Sequence, residues 1–226
     1  MSGLQRFLDT FFNAEVAARA WPDILRGLGI TVGVGVAVTI AGLGLGLALA
    51  ILRATQRGWL SGLIVVFVDV MRALPPLVVI IIFFFAFPLI GISMSAFTST
   101  WLALSLVLAA YVEECLWGGI LSLPRGQSEA ARSTGLSWWQ CMTAVILPQA
   151  FRVALPSLTN RVIAVGKNVA LGSVVALSDV LNNAQSATSN AGNPTPLTMA
   201  AAAYLVIFIP VMMGARRLEN RMQWRA

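Results

Sequence analysis

Between Gly27 and Leu52 the chain runs without one charged side chain. A helix crosses the core of a bilayer in about 20 apolar residues. This run is therefore long enough to span a membrane, and it has to be buried in lipid or in a large protein core. The composition decides between the two. Of 226 residues, 58% are hydrophobic and 11% are charged, against roughly 25% charged in soluble domains. Too few polar groups remain to cover a soluble surface. An all-α polytopic membrane protein is predicted. The net charge of +6 then speaks of orientation, not of nucleic acid, because Lys and Arg concentrate on the cytosolic side of membrane proteins. Histidine is absent, and Cys115 and Cys141 stand apart, so neither a metal site nor a disulfide framework is expected.

Residues 1–26 form the first expected region, an amphipathic segment in the membrane interface. Leu4, Phe7, Leu8, Phe11 and Phe12 recur at helical spacing among Gln5, Arg6, Asp9 and Asn13, which suits a helix lying flat. Its mixed charge and lack of an apolar centre do not read as a cleavable signal. Residues 27–226 form the second region, the transmembrane domain. In the first span Gly29, Gly33, Gly42 and Gly46 make two small-xxx-small pairs, a pattern for close helix packing. No strand precedes Gly42-Leu43-Gly44-Leu45-Gly46 and no acid follows at the required distance, so a nucleotide loop is not supported.

Trp59–Met71 is read as a helix entering from the interface and Leu74–Ile90 as the second span, with Pro75 and Pro76 breaking the ladder between them. Asp69 and Arg72 are three apart on one helical face and are expected to form a structural ion pair. Thr100–Leu123 is the third span. It carries Glu113 and Glu114, and a charge at the centre of a membrane helix costs about 2.5–3.5 kcal/mol. Two readings stand: the glutamates line a substrate pathway, or they lie near the cytosolic end and pair with Arg125 or Arg132. Arg161–Val180 is the fourth span, interrupted by Lys167-Asn168. Residues 182–196 are polar, uncharged and read as a loop. Leu197–Ala215 is the fifth span.

The connections alternate. Arg53 and Arg57, then Arg125, Arg132 and Arg152, then Arg216, Arg217, Arg221 and Arg225 make the first, third and last basic; the second and fourth hold no Lys or Arg. Five spans with the N-terminus outside and the C-terminus in the cytosol satisfy every one of them. The third connection, 124–152, is then cytosolic. Within it Ser128–Thr134 reads as a helix and Gly135 as its left-handed end. Ser137 with Gln140 forms a capping box for a second helix, which Pro148 stops or kinks. A long structured connection in a chain with so few soluble residues is a candidate docking surface. Trp138 and Trp139 suit interface anchoring.

Glu129-Ala130-Ala131, Gly135 and then Val145-Ile146-Leu147-Pro148 resemble the EAA loop of permease subunits of bacterial ABC importers, with Val145 in place of the usual isoleucine. The flanks extend the likeness. Residues Ala109 to Glu114, Gly118-Gly119-Ile120 and Pro124 to Gln127 are similar to the polar amino acid uptake subfamily. Asp69-x-x-Arg72 followed by Pro75 looks like its E-x-x-R-G-T-P segment. Trp117 stands where that family often has arginine. The resemblance covers the chain from about Gly27 onward. It implies a type I ABC importer permease fold in the bacterial inner membrane, dimerising with an identical or related permease around a central pathway. It further implies an ABC ATPase dimer that uses ATP-Mg, a periplasmic substrate-binding protein, and an amino-acid substrate. Glu129, Ala130, Ala131, Arg132, Gly135, Leu147 and Pro148 would carry coupling to the ATPase. Lys167 and Asn168 stand where many relatives have Lys-Asp. The missing acid argues against a cationic substrate, leaning to an acidic or neutral amino acid. Lys167 would face the substrate carboxylate, or else pair with Glu113, Glu114 or Asp179.

The chain contains no GxxxxGK[ST] run, so it is not expected to bind a nucleotide or to be an enzyme by itself. The rival reading is a secondary transporter or channel subunit, which would usually show an inverted repeat of broken helices; none is evident. An intramembrane hydrolase lacks its HExxH or GxSxG motif. A passive scaffold subunit is the remaining alternative.

Overall fold

The computed structural model describes residues 2–223, which places Arg225, counted above among the basic residues of the last connection, outside the described residues. It is all helical: no strand occurs among the described residues. The helices are α1 (Gly3–Phe11), α2 (Ala14–Ala54), α3 (Gly58–Ala73), α4 (Pro76–Ile81), α5 (Ala96–Ser122), α6 (Arg125–Ser133), α7 (Trp138–Cys141), α8 (Leu147–Lys167), α9 (Val180–Ala191) and α10 (Thr195–Gln223). Among the described residues four stretches are long and apolar enough to cross a membrane: Gly3–Ala54, Ala96–Ser122, Trp138–Val175 and Thr195–Met222. α3 and Pro76–Ile90, bent by 102° at the break between them, bring the number to the five read from hydropathy when the pair is counted as one broken span.

Several boundaries differ from expectation. The first span does not begin at Gly27: α2 starts at Ala14 and runs through Pro22. Proline costs one ladder hydrogen bond, but Ile24, two residues beyond it, is locked into a core with Val180, Ala184 and Ala200. The amphipathic region expected over residues 1–26 divides between α1 and the first part of α2. Ser2 caps α1 in a box with Gln5, and α1 buries no side chain, leaving Leu4, Phe7, Leu8 and Phe11 exposed. Pro148 does not stop a helix either. A π-helical turn, Met142–Ile146, joins α7 to α8, and Pro148 occupies the first turn of α8, where a missing N–H is tolerated. The fourth span leaves α8 at Lys167 for a 3-10 stretch, Asn168–Val175. Residues 182–196, read as a loop, are mostly helix α9. Asp179 initiates it by accepting the Asn182 N–H at 2.9 Å.

The chain divides into two compact units. The first comprises 1–38, 75–104 and 166–213. Its core joins Ile24 to Val180, Ala184 and Ala200, with Leu28 and Tyr204 packed against it. Gly27 allows the backbone at Asp179 to come within 2.7 Å of where a Cβ would stand. Thr31 Oγ1 accepts the Val180 N–H there at 3.2 Å. The second unit comprises 39–74, 105–165 and 214–226. In it Gly42 and Gly46 lie against Leu108 and Val112, 2.7 and 2.5 Å from the nearest side-chain atom to a built Cβ. Among the described residues nothing lies within 4 Å of a Cβ built on Gly29 or Gly33, so within this chain it is the second glycine pair that packs against another helix.

Candidate functional site

The polar connection folds into a capped hairpin. Arg125–Ser133 forms α6. The chain then turns at Gly135, whose φ of +91° is open to glycine at little cost. Ser137 restarts it: the Ser137 hydroxyl accepts the Gln140 N–H at 3.3 Å, and Gln140 Oε1 accepts the Ser137 N–H at 2.8 Å. The expected capping box is formed. One side of the hairpin is fixed. Ala131, Cys141, Met142 and Ile146 are buried together with Ala54 from the end of α2, and Trp117, Ile120 and Leu147 pack on them. The other side is uncovered: Glu129, Ala130, Arg132 and Gly135 are exposed. Pro148 is exposed as well. The two tryptophans divide between these sides. Their rings meet edge to face at 4.8 Å; Trp138 joins the buried cluster and Trp139 remains 56% exposed.

Beside this hairpin, still in the second unit, the charged groups of the third span are neutralised. Glu113 is fully buried, and both its oxygens accept from Arg53 Nη1, at 3.0 and 3.3 Å. The Arg53 guanidinium also lies 4.6 Å from the Trp117 ring centre, a cation–π contact. Glu114 Oε1 receives Arg72 Nη1 at 2.7 Å. Two expectations are corrected here. Arg72 pairs with Glu114 and not with Asp69, which lies on an exposed face of α3. The partners of Glu113 and Glu114 are Arg53 and Arg72, not Arg125, Arg132 or Lys167. An exposed i,i+3 pair is worth only about 0.2–0.5 kcal/mol. Glu114 keeps 41% of its side chain exposed and Arg72 32%, so the pair that forms joins two half-covered groups, while Asp69 stays in solvent.

Sequence reasoning passed over Arg53, Tyr111 and Arg161. Arg53 was counted only as a topology marker, and Arg161 only as the start of a span. Arg161 lies 4.4 Å from the Tyr111 ring centre, with Arg72 at 6.0 Å from the same ring. Glu114 and Arg161 line one cleft of about 490 Å³ together with Cys115, Gly118, Ser157 and Asn160. Arg53 follows directly on one apolar run and Arg161 opens another, so neither stands inside a span in the sequence.

In the first unit Lys167 is exposed at the end of α8, with its Nζ 5.9 Å from the Phe208 ring centre. Among the described residues it forms no ion pair, so the expected alternative of a Lys167–Asp179 pair is not realised. Asp179 is committed to capping α9, and Tyr204 Oη donates to its second oxygen at 3.4 Å. Asn168, half-buried, opens the 3-10 stretch. Among the described residues no cluster of His, Cys, Asp and Glu has the make-up of a metal site.

Helices long and apolar enough to cross a membrane, joined by one structured polar hairpin, define a polytopic membrane protein. Residues 42–224 match the family described as "binding-protein-dependent transport system inner membrane component", and the chain belongs to that family. Among its relatives, the probable amino-acid ABC transporter permease protein YckA of Bacillus subtilis (strain 168) is 36% identical over 174 residues, 77% of each chain. The arginine ABC transporter permease protein ArtQ of Haemophilus influenzae (strain ATCC 51907 / DSM 11121 / KW20 / Rd) is 34% identical over 164 residues, 69% of this chain and 74% of that one. The crystal structure of an amino acid ABC transporter with histidines superposes with a TM-score of 0.81 at 28% identity, over 90% of this chain and 96% of that chain. The MetNI methionine ABC transporter shares the fold at a TM-score of 0.66 and 18% identity, over 98% of this chain and 99% of that one. The fold is that of a type I ABC importer permease. The relatives are named as permease subunits, which are not themselves enzymes.

Proposed function

We propose that this chain is the membrane-spanning permease subunit of an ATP-driven amino acid importer. In this reading it sits in a bacterial inner membrane with its N-terminus outside and its C-terminus in the cytosol. It pairs with an identical or related permease, and an external binding protein delivers the amino acid. An ABC ATPase dimer docks on the hairpin of α6 and α7 and supplies the energy from ATP-Mg; this chain binds no nucleotide. The relatives' names support the amino acid class.

One observation carries the coupling role. The hairpin holds Ala131 in a core shared with the ends of α2 and α5, while Glu129, Ala130, Arg132 and Gly135 stay uncovered. A push on the open side therefore passes into the spans through packed side chains, not through a loose loop. Leu147 and Pro148 carry it into α8. Rocking between inward- and outward-open states is then a rigid-body switch. At the pathway, Lys167 is available to a substrate carboxylate, and Asn168 adds no charge that would favour a cationic substrate. An acidic or neutral amino acid fits this pair.

The test is reconstitution with the partner ATPase and binding protein in proteoliposomes. Glu129→Arg places a bulky opposite charge on the docking side, and Gly135→Pro forbids the observed φ. Each is expected to abolish substrate-stimulated ATP hydrolysis and uptake while the subunit still inserts. Uptake that survives both changes, or that proceeds without ATP, overturns the proposal and favours a secondary transporter.

A further inference from the structure

The cleft of about 490 Å³ in the second unit is within the size range of small-molecule sites, about 300–1,000 Å³. Its lining is unusual for a membrane span because it presents both signs of charge. Glu114 is held in place by Arg72 at 2.7 Å. Arg161 is the opposite case. It is braced by the Tyr111 ring at 4.4 Å, yet among the described residues it pairs with no carboxylate. Arg161 is exposed on α8 beside the cleft, and its planar fork fits a carboxylate in a bidentate manner. Ser157 and Asn160 add hydrogen-bonding groups on the α8 side. On the α5 side Gly118 lines the cleft, and a Cβ there would meet nothing within 4 Å. The space next to the two charges is open. At the next residue of α5 the same two helices touch: a Cβ on Gly119 would come within 2.6 Å of the Ala150 carbonyl oxygen. The cleft is therefore bounded by a fixed helix crossing and does not depend on a loop.

The geometry points to a binding site for the zwitterionic part of an α-amino acid, with Arg161 receiving the carboxylate and Glu114 the ammonium group. The pairing uses the part common to all amino acids and leaves the side chain to the open space at Gly118. It rests on the amino acid reading above and adds a site distinct from Lys167. A zwitterion adds no net charge to the cleft, and its carboxylate supplies the anion that Arg161 lacks when the cleft is empty.

The chain carries its own reporter. Cys115 lines the cleft and is partly accessible, whereas the second cysteine, Cys141, is buried. The experiment measures the rate of Cys115 modification by N-ethylmaleimide in the permease–ATPase complex, with each proteinogenic L-amino acid except cysteine, whose own thiol consumes the reagent, added in turn. The complex is held in nanodiscs of phosphatidylcholine with or without phosphatidylglycerol. At least one amino acid is expected to slow modification severalfold. Its decarboxylated amine is expected to give no protection, and Arg161→Gln is expected to remove protection while Cys141 stays unreactive, which reports an intact fold. The inference is overturned if no amino acid protects, or if the decarboxylated amine protects equally. It is equally overturned if protection survives Arg161→Gln, or if it follows phosphatidylglycerol and not the amino acid, which would make Arg161 a lipid phosphate contact. ATPase activity is assayed on the same preparation, and uptake on the same complex reconstituted with its binding protein in proteoliposomes. Amino acid-stimulated turnover without protection removes the cleft and leaves the importer reading standing. Protection without ATP-dependent uptake does the reverse.

Discussion

Arg53 holds the end of the first span to the middle of the third. Its guanidinium is shared between a fully buried carboxylate and an indole ring, so removing Glu113 leaves a charge with half its surroundings gone. Breaking a buried pair on one side costs about 3–5 kcal/mol, whereas replacing both members with apolar groups is often neutral. Glu113→Ala is therefore expected to lower the thermal stability of the detergent-solubilised protein sharply. Arg53→Leu with Glu113→Leu should recover most of the loss. Melting followed by size-exclusion chromatography checks both, and equal losses in the single and double variants would disprove the pairing argument. The existence of buried charge was legible in the sequence, because Glu113 and Glu114 interrupt an apolar run. The identity of the partners was not. Asp69 and Arg72 share a helical face by spacing alone, but the choice between Asp69 and Glu114 depends on which carboxylate is taken out of water.

At the scale of the element, the sequence was most informative where local rules suffice. Ser137 with Gln140, and the positive φ at Gly135, follow from capping and from the absence of a Cβ. It misled where packing overrides composition. Residues 182–196 are polar enough for a loop, yet Asp179 caps them into α9, and Val180 and Ala184 seat that helix beside Ile24. An N-cap followed by apolar residues four apart was the signal available. The glycines make the same point in reverse, since two identical motifs have different fates. Gly46→Ala forces a methyl against Val112 and the Ala109 carbonyl oxygen and is expected to destabilise by about 1–3 kcal/mol, as overpacking does. Gly33→Ala faces open space and is expected to be neutral or slightly stabilising in the same melting assay. Equal effects at the two sites would contradict the assigned seam.

Across the whole molecule, the number of spans and the alternation of basic connections could be read in advance, because both are properties of segments in chain order. The division into two units could not. Each unit gathers three separate stretches, and one boundary falls inside α2 and another inside α5. Only the buried clusters reveal that grouping. The charge alternation makes a prediction at this scale. In intact spheroplasts of a variant lacking both native cysteines, Ser189→Cys on α9 should react with a membrane-impermeant maleimide. Ser133→Cys on α6 should react only after permeabilisation. The opposite pattern would invert the orientation and remove the coupling hairpin from the side where ATP is available.

The π-helical turn at Met142–Ile146 bears on this hairpin in one more way. Such a turn accommodates one residue more than a regular helix would, and one residue corresponds to about 100° of rotation about the axis. The phase between the hairpin and α8 is therefore set by a single inserted residue. It brings the Ala150 backbone to Gly119 while Cys141 remains in the core beneath α6. Shortening the turn by one residue would barely alter length or hydropathy. It would rotate the downstream helix away from that crossing, so the information at this point of the chain is angular and lies in the count of residues as much as in their identity.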